Sequence, residues 1–181
     1  MPYESYFNRY PVTASLIIFL SLIFLLQWFA PQFLSDYHLY FYFFPHHLNI
    51  GTFLGFWSHA NFMHLLSNLL SLFILGGFLE PQIRRIEYCF ILLSLWIGLM
   101  VAGYFLFPGP VVGFSGIALG LLVFSLGVFW EKSAELKQML LIFLLLNLGV
   151  GFFPSVSFWG HFLGALVGLL VFILYKNFVQ K

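Results

Sequence analysis

Three short motifs hold nearly all the side chains of this sequence that could do chemistry. Ser115 lies in Gly113-Phe114-Ser115-Gly116, His161 follows Trp159-Gly160, and His59, Asn61, His64, Ser67 and Asn68 crowd into residues 59–68. A serine hydroxyl is a poor nucleophile until a base takes its proton. An imidazole, with an ordinary pKa of about 6.5, can do that near neutral pH. Attack on a carbonyl creates an oxyanion, which needs hydrogen-bond donors. His64 and Asn68 are four residues apart, hence on one face of a helix, and their side chains could donate. The Ser115 backbone N–H, at a helix N-terminus, could join them. No carboxylate is placed to complete a triad: Glu4, Glu80, Glu87, Glu131 and Glu135 fall on one side of the apolar segments and Asp36 in a long loop. The residues predict a Ser–His dyad.

The elements that position these motifs follow from composition. Of 181 residues, 62% are hydrophobic and 7% charged, against about 25% charged in a soluble domain. No soluble interior of this size hides that much apolar side chain, so the lipid bilayer is the expected solvent. A net charge of +1 gives no basic surface for nucleic acid. The single cysteine, Cys89, excludes an intrachain disulfide. The first apolar run has no A-x-A cleavage site after it and reads as a membrane span rather than a signal peptide. Six stretches are apolar over nearly a helical crossing: about 12–30, 59–79, 88–107, 114–130, 138–153 and 158–176. Turn signals separate them, such as Pro81, Phe107-Pro108-Gly109-Pro110 and Phe153-Pro154-Ser155. The expected fold is an all-α membrane protein, a six-helix bundle forming one domain over residues 1–181.

Arg9, Arg84, Arg85, Lys132, Lys137, Lys176 and Lys181 all fall in the N-terminal tail, the 2–3 loop, the 4–5 loop or the C-terminal end. Basic residues collect on the cytoplasmic side, so both termini are expected there, with spans 2, 4 and 6 running inward. His64, Asn68, Ser115 and His161 then share one depth, about 5–15 Å below the outer surface at 1.5 Å rise per residue. Polar groups inside a membrane are costly and functional by default. Gly160, Gly164 and Gly168 repeat every four residues in span 6, as Gly116 and Gly120 do in span 4. Small residues so spaced let backbones approach closely, which would bring Ser115 and His161 together. The 1–2 connection, about 31–58, is rich in rings, including Tyr37, Tyr40, Phe41, Tyr42, Phe43, Phe44 and Trp57. Such rings favour the interface, and the segment is expected to be partly embedded in it.

Each motif also has a plainer explanation. Gly-x-Ser-Gly alone is weak, because small residues abound where membrane helices pack. His38, His46 and His47 fit satisfied interfacial residues; His59 fits support of the loop. A metalloprotease is excluded by spacing, since no His-Glu-x-x-His exists. A transporter is disfavoured by the lack of an intramembrane acidic residue. No metal or other cofactor is called for.

The motifs resemble those of the rhomboid intramembrane serine proteases: His59-x-x-x-x-His64-x-x-x-Asn68, Gly113-Phe114-Ser115-Gly116, and Gly160-His161-Phe162-Leu163-Gly164-Ala165-Leu166-Val167-Gly168. Motif order and span number agree, so the resemblance covers nearly the whole chain and implies a minimal six-helix rhomboid-like bundle with an embedded 1–2 loop. It implies Ser115 as nucleophile, His161 as general base, and His64, Asn68 and the Ser115 N–H as oxyanion donors; His59, Gly113, Gly116 and Gly164 are expected to give structural support. It further implies that span 5 and the 5–6 loop, about 152–158, gate entry of transmembrane protein substrates from the lipid. The compact form suggests a bacterial inner membrane. The runner-up is an inactive rhomboid-like protein that binds membrane clients, although such relatives lack the serine or the histidine. Two positions depart from the family pattern. Ile50 and Gly51 stand where Trp-Arg often anchors the loop, and Leu119 replaces a tyrosine that stacks on the catalytic histidine, leaving the His161 ring to packing alone. Glu80 matches an acidic residue of the family, but its plain explanation is a surface ion pair with Arg84, four residues on.

Overall fold

A computed structural model describes residues 6–29, 41–151 and 156–178, and among these the chain is helical apart from turns and one isolated backbone bridge. The helices are α1 (Tyr6–Arg9), α2 (Pro11–Phe29), α3 (Ile50–Leu54), α4 (Phe62–Leu79), α5 (Arg85–Leu106), α6 (Ser115–Phe129), α7 (Ala134–Val150) and α8 (Phe158–Phe178). A 3-10 turn, Glu80–Gln82, extends α4. Among the described residues four segments are long and apolar enough to cross a membrane: Pro11–Phe29, Phe62–Gln82, Arg85–Leu106 and Phe158–Phe178. Ser115–Phe129 is apolar but shorter. Large apolar side chains such as Leu26, Phe105, Leu145 and Leu170 point outward, as lipid-facing positions require.

The short α6 is the centre of the bundle. Twelve of its 15 residues are buried, and a helix that is apolar all round belongs inside. Its most extensive partner is α8. The glycine repeats make that contact. A methyl group on Gly164 would strike the Gly116 carbonyl, one on Gly168 the Gly120 carbonyl, and one on Gly120 would lie 2.9 Å from the Gly164 carbonyl. The two backbones therefore touch, as the four-residue spacing predicts.

Two sequence expectations change here. The segment assigned to span 2 from residue 59 becomes helical only at Phe62. The Asn61 side chain accepts from the His64 N–H at 2.9 Å and caps the helix, so 59–61 precede the helix as a non-helical lead-in. The second change concerns Glu80, which is not paired with Arg84. Glu80 is buried and accepts from the N–H groups of Val12 and Thr13, both at 2.9 Å, and from the Thr13 hydroxyl at 2.7 Å. Those N–H groups are the orphans at the start of α2, and a carboxylate there also complements the helix dipole. Arg84 pairs with Glu87 instead.

Residues 30–40 of the first loop lie outside the described residues, but 41–58 are packed rather than floating. Phe43 and Val111 exchange backbone hydrogen bonds at 2.8 and 2.9 Å. Phe43 is fully buried and packs on Phe56 and Phe107, with centroids 5.0 and 5.7 Å away. Asn49 and Thr52 form a capping box at the start of α3. The loop is thus anchored by rings and backbone pairing although Ile50 and Gly51 occupy the Trp-Arg positions.

Candidate active site

Ser115 is the first residue of α6, and no side chain caps that helix. Its N-terminal N–H groups therefore stay available to a ligand. The lead-in is set by Gly113, whose φ of +117° suits only glycine. Space demands glycine as well, since a Cβ there would meet the His64 ring, 2.7 Å from Nε2. The Gly113 N–H donates to the Gly55 carbonyl at 2.8 Å, so the loop holding the serine is clipped to the first loop.

His161 is buried in the first turns of α8. Ser157 fixes the height of that helix start by accepting from the Gly160 N–H at 3.0 Å. Gly116 and Gly160 are in contact, the Gly160 carbonyl lying 2.9 Å from a Cβ built on Gly116. Ser115 and His161 each adjoin one of these residues, so the interlock brings their backbones to one level. His161 Nδ1 lies 2.9 Å from the Asn147 carbonyl oxygen on α7. A carbonyl only accepts, so the bond requires the proton on Nδ1 and leaves the Nε2 lone pair free. This corrects the expectation that Leu119 leaves the ring to packing alone. Leu119 is core, and a backbone carbonyl on a third helix orients the imidazole.

His64 and Asn68 occupy successive turns of α4. His64 lies against Gly113 and within electrostatic reach of His161. Asn68 is buried, and its amide nitrogen has no hydrogen-bond partner among the described residues. An unsatisfied buried donor is expensive and fits a group that waits for an acceptor. His59 is fully buried rather than at the rim. Its ring sits edge-on to His64, centroids 5.2 Å apart, its ring nitrogens have no partner among the described residues, and its N–H donates to Gln27 Oε1 at 3.1 Å. It ties the start of α4 to α2. Gly116 and Gly164 serve the helix contact described above. Most of the 5–6 loop, residues 152–155, lies outside the described residues.

Sequence reasoning missed Asn147. The available signal was that it is the one polar side chain between Gln138 and Ser155; the group in contact with His161 is nevertheless its carbonyl, which every residue has. Among the described residues no cluster of His, Cys, Asp or Glu could hold a metal ion.

Residues 49–178 match the family model described as the Rhomboid domain. The chain is 32% identical over 124 residues to a protein of Acanthamoeba polyphaga mimivirus named as a rhomboid protein, covering 65% of this chain and 70% of that one. It is 36% identical to RHOMBOID-like protein 2 and 34% identical to RHOMBOID-like protein 6, mitochondrial, both of Arabidopsis thaliana, over 65% of this chain in each case. Those matches span only 40% and 41% of the plant proteins. These relatives are viral and plant proteins and lend no support to a bacterial source.

Proposed function

The chain belongs to the rhomboid family, and from that premise we propose that it is an intramembrane serine endopeptidase cleaving membrane-anchored proteins by a Ser115–His161 dyad. The observation that carries the reading is the α6–α8 glycine interlock, which puts the residues beside Gly116 and Gly160 at one level. The Ser115 hydroxyl attacks the scissile carbonyl while His161 Nε2 takes its proton. The tetrahedral oxyanion is met by the Asn68 amide, the His64 ring N–H and the Ser115 backbone N–H. His161 then protonates the leaving amine, and a water, deprotonated by the same nitrogen, hydrolyses the acyl-serine. The Asn147 carbonyl holds Nδ1–H where a triad has a carboxylate. A neutral dipole stabilises the imidazolium less than a full charge does, so the enzyme is expected to be slow.

The proposal includes six crossings, with α6 and α7 as the fourth and fifth, the first loop partly embedded, and both termini on the cytoplasmic side. It covers residues 1–181 as one domain. Substrates are transmembrane proteins cut near the outer face, admitted on the side of α7 and the 5–6 loop.

The test is labelling with a fluorophosphonate serine probe alongside cleavage of a membrane-anchored reporter. Wild type should be labelled and active, whereas Ser115→Ala and His161→Ala should lose both, with Ser115→Ala keeping the wild-type melting temperature. Full reporter cleavage by Ser115→Ala would sink the mechanism.

A further inference from the structure

The glycine contact between α6 and α8 covers only part of their length. From Phe124 onward the spacers are aromatic. Phe124 packs edge-on against Phe172 and Tyr175, with centroids 5.9 and 5.3 Å away. Rings hold the two helices further apart than glycines do, and a cavity of about 430 Å³ opens beside them at the end of the bundle opposite Ser115. That volume lies within the range of small-molecule sites, about 300–1,000 Å³.

The lining changes character along the cavity. Val123, Leu126 and Leu169 form an apolar stretch, whereas Trp130, Glu131, Lys132 and Lys176 stand at its mouth. Leu169 is half exposed on the outer face of α8, so the apolar stretch opens sideways towards lipid. At 1.5 Å per residue, Lys176 lies about 10 Å along the axis from Leu169. Lys132 and Lys176 share that lining with one carboxylate, Glu131, and neither lysine is ion-paired among the described residues, the Lys132 ammonium lying 5.8 Å from the centre of the Phe129 ring. A tryptophan and lysines at one helix end mark a membrane–water interface. The cavity between α5 and α8, about 300 Å³, makes the contrast: its charged lining residue is Glu87, whose carboxylate is taken by Arg84 and Tyr175, and no lysine or arginine lines it.

We propose that the α6–α8 cavity binds one anionic glycerophospholipid. Its phosphate lies between Lys132 and Lys176, and an acyl chain runs along Val123, Leu126 and Leu169. A zwitterionic lipid offers the same chain but cancels the headgroup charge, and a free anion lacks the chain. The proposal is independent of the chemistry at Ser115.

The test is native mass spectrometry of the purified full chain with added phosphatidylglycerol or phosphatidylcholine of the same acyl composition. Wild type should retain phosphatidylglycerol at least tenfold better. Basic residues near an anionic headgroup contribute about fivefold each, so Lys132→Gln with Lys176→Gln should weaken retention roughly 25-fold. Leu169→Trp, which fills the apolar stretch from an exposed position, should lower retention with both lysines intact. Lys137→Gln is the control; that lysine lies 5.0 Å from the Trp130 ring but does not line the cavity, and its loss should change nothing. Equal retention of the two lipids, or unchanged retention in either cavity variant, would overturn the proposal. So would an equal loss in Lys137→Gln, which would reveal bulk charge, or displacement by millimolar inorganic phosphate, which would reveal a plain anion site.

Discussion

Glu80→Ala removes the group that satisfies the start of a helix far away in sequence. The carboxylate accepts three hydrogen bonds, from the Val12 N–H, the Thr13 N–H and the Thr13 hydroxyl, in a site where Glu80 is only 4% exposed. The hydroxyl can turn to another acceptor, but the two N–H groups cannot. A hydrogen bond to a charged group contributes about 1.5–3 kcal/mol net, so the two bonds put the loss at roughly 3–6 kcal/mol. At about 3 °C per kcal/mol for a chain of this size, the melting temperature should fall by roughly 9–18 °C. Glu80→Gln keeps one acceptor oxygen and should lose about half as much. The assay is thermal melting of purified protein in a mild detergent, with Arg84→Ala alongside. The Arg84 side chain is 77% exposed and pairs with Glu87, and exposed pairs contribute at most about 1 kcal/mol; its loss should cost no more than about 3 °C. If Arg84→Ala costs as much as Glu80→Ala, or Glu80→Ala melts within about 3 °C of wild type, the assignment of Glu80 as the cap of α2 is wrong.

Asn68→Ala should lower kcat by roughly 10²–10³ with little change in KM, as loss of one oxyanion donor does; an unchanged rate removes Asn68 from that role. Gly164→Leu drives a side chain into the Gly116 carbonyl. Overpacking costs about 1–3 kcal/mol and a displacement near 1 Å about 10²-fold in rate, so both melting temperature and cleavage should drop; retention of both would refute the interlock. Cleavage should fall as pH is lowered from about 8 towards about 4, because a protonated His161 cannot accept the Ser115 proton; a profile on one reporter still flat well below the ordinary imidazole range argues against it as the base. In a Cys89→Ser background, Gly109→Cys, whose added side chain meets open space, should react with an impermeant maleimide applied outside whole cells, and labelling only from the cytoplasmic side reverses the proposed topology.

The apolar runs located the helices to within a few residues, because a long apolar stretch has few other fates. The α6–α8 contact was legible for a similar reason: glycines four apart have no side chain to hide their purpose. What stayed hidden rests on the backbone or on distance. The carbonyl of Asn147 that orients His161 leaves no mark in the residue type. The Phe43–Val111 bridge is likewise backbone to backbone, so the aromatic segment suggested an interfacial surface while Phe43 is in fact core. Glu80 was misassigned because local spacing offered Arg84 at i+4, whereas the groups that need the carboxylate are Val12 and Thr13. Helix-end N–H groups are a demand that a sequence shows only when the partner is near.

The interlock also determines how this molecule can yield. Carbonyls of Gly116 and Gly120 lie against the backbones of Gly164 and Gly168, and such a joint has no rotamers to exchange and hence no soft mode of its own. Compliance must reside in neighbours such as α7, where Leu140 is the only fully buried large side chain among the described positions. Yet α7 carries the carbonyl that holds the His161 proton. An outward swing of α7 that takes Asn147 beyond about 3.5 Å breaks that bond and, in the proposed mechanism, unseats the base. Open and armed would then be mutually exclusive conditions, like a breech that fires only when shut.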